Sequence, residues 1–105
     1  MRFLLKVTIP TEAGNAGIKS GKLMKTIQSA LEQLKPEAAY FTEVDGKRTG
    51  FIVTDLKNPS QIPAVAEPFF LGLDATVEFH PAMTPEDLMK AGPGIEQAVK
   101  TYGSM

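Results

Sequence analysis

The stretch DATVEFHPAM, residues 74–83, decides the architecture. Ala75, Val77 and Phe79 alternate with Thr76, Glu78 and His80, so an extended strand sends its apolar set to one side and its polar set to the other. That is the pattern of a half-buried strand. It carries the only histidine of the protein, two positions from a glutamate on the same face.

The same alternation opens the chain. Phe3, Leu5, Val7 and Ile9 oppose Arg2, Lys6 and Thr8, with Leu4 on the polar side, and Pro10 ends the strand. TEAGNAGIKSG is rich in turn formers, which places the next helix start between about Asn15 and Ser20. Leu23, Ile27, Ala30, Leu31 and Leu34 then recur at helical spacing until Pro36 disfavours helix at Lys35. AAYFTEV and KRTGFIVTDL follow, joined by Asp45-Gly46, the signal of a type I′ hairpin. With those two residues as the loop, Glu43 pairs with Arg48, Phe41 with Gly50 and Tyr40 with Phe51. One face then holds Phe41, Gly50, Ile52 and Leu56, and the other Tyr40, Thr42, Phe51, Val53 and Asp55. Both faces are largely apolar, so something should cover the second as well as the first.

Asn58-Pro59-Ser60 starts a helix with Ile62, Val65, Ala66, Phe69 and Phe70 as its stripe and Gly72 as its terminator. Pro68 predicts a kink or break there. After the strand from Ala75 to His80, Thr84-Pro85-Glu86-Asp87 starts a short helix that Gly92-Pro93-Gly94 interrupts. Ile95, Ala98, Val99 and Tyr102 mark a last amphipathic segment. The order predicts an α+β, ferredoxin-like split βαββαβ domain over residues 1–105. It has a four-stranded antiparallel sheet, helices on one face, and a helical C-terminal extension from residue 83. The first strand lies between the third and fourth, which brings Lys6 and Thr8 beside Glu78 and His80.

With FLLKVTIP at its start, TGFIVTDLKNPSQIPAVAEPFF in its middle and LDATVEFHPAMTPEDL near its end, the chain resembles the dimeric α+β barrel superfamily. The pattern is nearest the muconolactone-isomerase type and short bacterial proteins of similar layout. The resemblance covers most of the domain and supplies no catalytic signature. It implies two sheets packed face to face, with the second apolar face buried against another subunit and a cavity between.

Composition narrows the function. At 105 residues, with 43% hydrophobic and 22% charged, the chain suits one folded domain and not a disordered segment. No cysteine means no disulfide, thiolate nucleophile or cysteine metal site. The net charge of −1, with basic residues scattered, argues against nucleic acid as a partner. KRTGFIV has a superficial likeness to an RNA-recognition strand, but Val53 and Thr54 stand where a second aromatic belongs. No run approaches the ~18 apolar residues of a membrane span, and the N-terminus alternates as a signal segment would not. The expectation is a soluble, cytoplasmic protein with no membrane partner.

The second sheet face collects the candidate site. His80 and Glu78 are its candidate catalytic groups, because an imidazole beside a carboxylate can move protons near neutral pH. Lys6, Thr8, Tyr40, Phe51 and Asp55 are its candidate ligand-binding residues. Plainer roles compete: Lys6 with Glu78 as a cross-strand ion pair, His80 as the last residue before Pro81, Tyr40 with Phe51 as packing, Glu43 with Arg48 as a surface salt bridge. One histidine and one glutamate fall short of a zinc site, and neither a metal nor a cofactor is expected. The functional expectation is a homo-oligomer, at least a dimer, joined through the helix-free face. It binds a small, partly apolar organic molecule in the cavity, where cofactor-independent isomerisation could run. The alternative is a non-catalytic module for self-association or protein interaction.

Overall fold

The computed structural model describes residues 1–104. Four strands, β1 (Arg2–Thr8), β2 (Ala38–Val44), β3 (Lys47–Asp55) and β4 (Thr76–Pro81), form one sheet in the order β2-β3-β1-β4, every neighbour antiparallel. The central position of β1 follows from the split βαβ order. Asp45 and Gly46 both have positive φ, 54° and 76°, as a type I′ turn requires. They set the register of β2 on β3, with Tyr40 opposite Phe51 and Glu43 opposite Arg48.

Three helices pack on one face: α1 (Thr11–Ser20), α2 (Lys22–Leu34) and α3 (Ile62–Leu73). Leu5, Val7, Ile9 and Ile52 from the sheet meet Leu23, Ala30, Phe69 and Leu73 from the helices in a buried core. Phe3 and Phe79 close one end of it edge to face, with ring centroids 6.2 Å apart. No buried side-chain polar atom lacks a partner among the described residues.

Several helix boundaries differ from the sequence expectation. TEAGNAGIKS is itself a helix, whose Gly14 amide donates to the Pro10 carbonyl and which ends on Gly21 in the left-handed conformation. Its glycines cost helix propensity but permit close approach. A Cβ on Gly17 would lie 2.8 Å from the Leu23 Cβ, so α1 and α2 could not nest as they do. Pro68 does not break α3, which runs through it. Ala64, whose carbonyl loses the Pro68 amide as a donor, is an exposed residue. Gly72 does not end this helix either. It lies against Thr26 of α2, where a Cβ would come within 2.7 Å of Cγ2, and Asp74 (φ 52°) is the left-handed cap. Asn58 and Gln61 form a capping box that opens a 3₁₀ turn, Pro59–Gln61, ahead of α3.

The C-terminal extension holds α4 (Pro85–Lys90) and α5 (Gly92–Tyr102). Thr84 caps α4 through a capping box with Asp87. Gly92-Pro93-Gly94 forms the first turn of α5, which suits proline near a helix start. Neither helix contains a buried residue.

Candidate functional site

The sheet face away from α1–α3 carries every residue singled out for chemistry, because side chains alternate between faces along a strand. The registers of the three strand pairs order this face into rows that cross the sheet. Tyr40, Phe51, Lys6 and Glu78 form the middle row, one residue from each strand. On one side lies the row Ala38, Val53, Leu4 and His80, and on the other Thr42, Thr49, Thr8 and Thr76. His80 thus opposes Leu4, and Thr8 opposes Thr76. The expected adjacency of Thr8 to His80 gives way to this antiparallel stagger.

A line of charged groups runs across β1 and β4. Lys6 Nζ stands 4.0 Å from Glu78 Oε2, and His80 Nε2 stands 3.2 Å from Glu78 Oε1. The two carboxylate oxygens therefore face a primary ammonium on one side and an imidazole on the other. Such an arrangement can pass a proton between His80 and Glu78 while Lys6 opposes negative charge on a bound group. The three side chains remain open, at 30% exposure for Lys6, 46% for Glu78 and 56% for His80. Tyr40 is 73% exposed. Tyr40 and Phe51 are neighbours in register, but the aromatic rings in contact among the described residues are Phe3 and Phe79 on the helix side. No three metal-ligating side chains converge among the described residues.

Asp55 stands apart from this cluster. It opposes Arg2, two rows beyond Lys6, which is about 13 Å at ~3.3 Å per residue. Its carboxylate accepts from Lys57 Nζ at 2.8 Å and from the Met1 amino group at 2.9 Å. The Lys57 hydrogen bond first, then that of the amino group, lowers its pKa from 3.8 to about 2. A depressed folded pKa means that the contribution of this pair to stability is present above pH 3.8 and is lost as pH falls through about 2. A carboxyl NMR titration is expected to give Asp55 a midpoint near 2 that rises toward 3.8 in Lys57→Met. An unchanged midpoint in that variant would assign the shift to some other group.

The expected salt bridge between Glu43 and Arg48 does not form. Glu43 Oε2 accepts from the Gly46 amide at 2.9 Å inside the turn, and Arg48 Nη2 donates to Asn15 Oδ1 at 3.1 Å. The residues are opposite in register, but α1 offers Arg48 a competing acceptor that strand pairing alone could not reveal. Arg48 lies at the edge of a hollow of about 460 Å³ that the sequence did not disclose. The overhanging β2 forms one wall with Phe41, and Ile18, Met24 and Ile27 of α1 and α2 form the other. The row of four threonines was also missed, although Thr42 opposite Thr49 follows from the Asp45-Gly46 turn.

The strand order, the three helices on one face and the open polar-aromatic face define a small ferredoxin-like α+β protein. The chain belongs to the family described as Domain of unknown function (DUF3303), whose model matches residues 1–95 and so spans the sheet, α1–α3 and α4. No curated protein matches it in sequence. No helix among the described residues is long and apolar enough to cross a membrane.

Proposed function

We propose that two copies of the chain associate through their helix-free sheet faces, in the manner of α+β barrels of the muconolactone-isomerase type. A small, partly apolar organic molecule is held between them. The observation that carries this reading is the middle row, where Tyr40 and Phe51 offer aromatic surface directly beside the linked Lys6, Glu78 and His80. A planar ligand lying on the rings presents its polar edge to the three ionisable groups. Glu78 or His80 then removes a proton next to a carbonyl, the other group supports it, and Lys6 opposes the developing oxyanion. The single chain leaves this row open, so a closed pocket needs a second layer, and the same face of another copy supplies it through a two-fold axis.

A second reading has its own support. The row Ala38, Val53 and Leu4, with the exposed Thr42 and Thr76 beside the middle row, is packing surface without chemistry, as a pure self-association module would need. Sedimentation velocity with native mass spectrometry of the purified protein separates the two. The catalytic reading expects a dimer carrying a co-purified small molecule, whose retention falls about tenfold in His80→Ala, equivalent to ~1.4 kcal/mol. A dimer with no bound molecule leaves self-association alone standing. A stable monomer removes both.

A further inference from the structure

The C-terminal arm from Met83 to Tyr102 is an amphipathic segment whose two helices contain no buried residue. A compact chain of this length has a radius of gyration of about 13 Å. This one has 17.5 Å and a long axis of 57 Å. Ile95, Val99 and Tyr102 follow the i, i+4, i+7 spacing of one helix face and are 53%, 63% and 67% exposed. Helices of 6 and 11 residues are marginal in water on their own. The arm therefore has the character of a docking element.

The hollow beside Arg48 is its counterpart. It is an apolar groove of about 460 Å³ between α2 and the overhanging edge strand β2, where Ile18, Met24 and Phe41 are half or more exposed. Arg48 is the one charged group lining it, and no carboxylate pairs with it among the described residues. On α5, Glu96 lies about 100° around the helix from Ile95, at the flank of the apolar stripe, and makes no ion pair either. Charge and apolar surface are thus complementary between the two. The bare sheet face also carries apolar surface, but its exposed centre presents the Lys6, Glu78 and His80 charges beside Tyr40, with no lone cation among the described residues for Glu96 to meet.

We infer that the arm of one copy docks in the α2–β2 groove of a second copy, with Ile95, Val99 and Tyr102 as anchors and Glu96 against Arg48. The arm leaves its own body at the Arg2 end of the sheet, where the Ala82 amide donates to the Arg2 carbonyl. The groove lies at the opposite end, by Ile9 and Thr49, and along the opposite edge strand. An arm extended away from its own body at that end is therefore assigned to the groove of a partner copy. The mode is helix in groove. It is separate from the sheet-face contact proposed above and requires no ligand.

The chain contains no cysteine, which makes the contact directly testable. Full-length Met24→Cys and Val99→Cys place thiols at exposed positions on the groove wall and on the arm stripe. When the two variants are mixed and oxidised, a disulfide-linked heterodimer is expected, at least ten times more abundant than for Val99→Cys mixed with Ser29→Cys. Arg48→Glu should reduce the yield, and adding Glu96→Arg on the other chain should restore it. Yields no higher than the Ser29→Cys control overturn the proposal. So does preferential coupling to Thr76→Cys, which would seat the arm on the sheet face. A double variant Met24→Cys, Val99→Cys that links only within one chain would mean that the arm folds back, and that too overturns it. Repeating the oxidation with both variants in the Val53→Glu background distinguishes this contact from the sheet-face one, because the heterodimer yield is expected to be retained there even when the sheet faces separate.

Discussion

Leu5→Ala is expected to lower the free energy of unfolding by about 3 kcal/mol, within the ~2–5 kcal/mol that such truncations cost in packed cores. Leu5 is fully buried on the central strand, with Ile52 of β3 on one side and Phe79 of β4 on the other. Leu23, Phe69 and Leu73 belong to the same core above it. A central strand is held from both edges, so the backbone cannot collapse into the space left behind, and most of the cavity persists. Urea or guanidinium denaturation monitored by circular dichroism measures the change. A loss under about 1 kcal/mol would mean that α2 and α3 do not press on the sheet as described.

Val53→Glu addresses the other face. Val53 is half-buried on β3, between Ala38 and Leu4, and none of these three belongs to the core under the helices. The substitution should therefore cost the isolated fold little. In a face-to-face pair it places a carboxylate from each copy in a desolvated contact, and like charges so placed cost several kcal/mol. The expected result is a dimer dissociation constant at least ~100-fold weaker, equivalent to about 3 kcal/mol, with an unchanged circular dichroism spectrum. Sedimentation equilibrium across a concentration series reads it. An unaltered constant would remove this face from the association.

Most of the sheet is legible in the sequence. The alternation in DATVEFHPAM and in the opening strand assigned their faces, and Asp45-Gly46 fixed the register that brings Tyr40 opposite Phe51. These are local properties, carried by a two-residue period and a turn that demands positive φ. The candidate site was legible to the same extent. Tyr40, Phe51, Lys6, Glu78 and His80 do share one face, whereas Asp55 shares it only at a distant corner, held there by Lys57.

The helical layer was less legible because its signals are tertiary. TEAGNAGIKS has poor helix propensity, and it becomes α1 because Gly14 and Gly17 let the helix lie against Arg48, Ile9 and Leu23. The usable hints were Pro10 before Thr11, Glu12 in the first turn and Gly21 as a left-handed stop. Gly72 reads as a terminator until Thr26 of α2 is seen against it. By itself, then, the sequence determined the strands, their faces, the hairpin register and the split βαβ order, since each depends on residues close along the chain. Only the tertiary structure decided that Arg48 turns to Asn15 and not to Glu43, that α3 runs through Pro68, and that the final two helices leave the body with their apolar side uncovered. Those outcomes depend on which groups distant in the chain lie within reach of a given acceptor or surface once it is folded, and no local pattern encodes that.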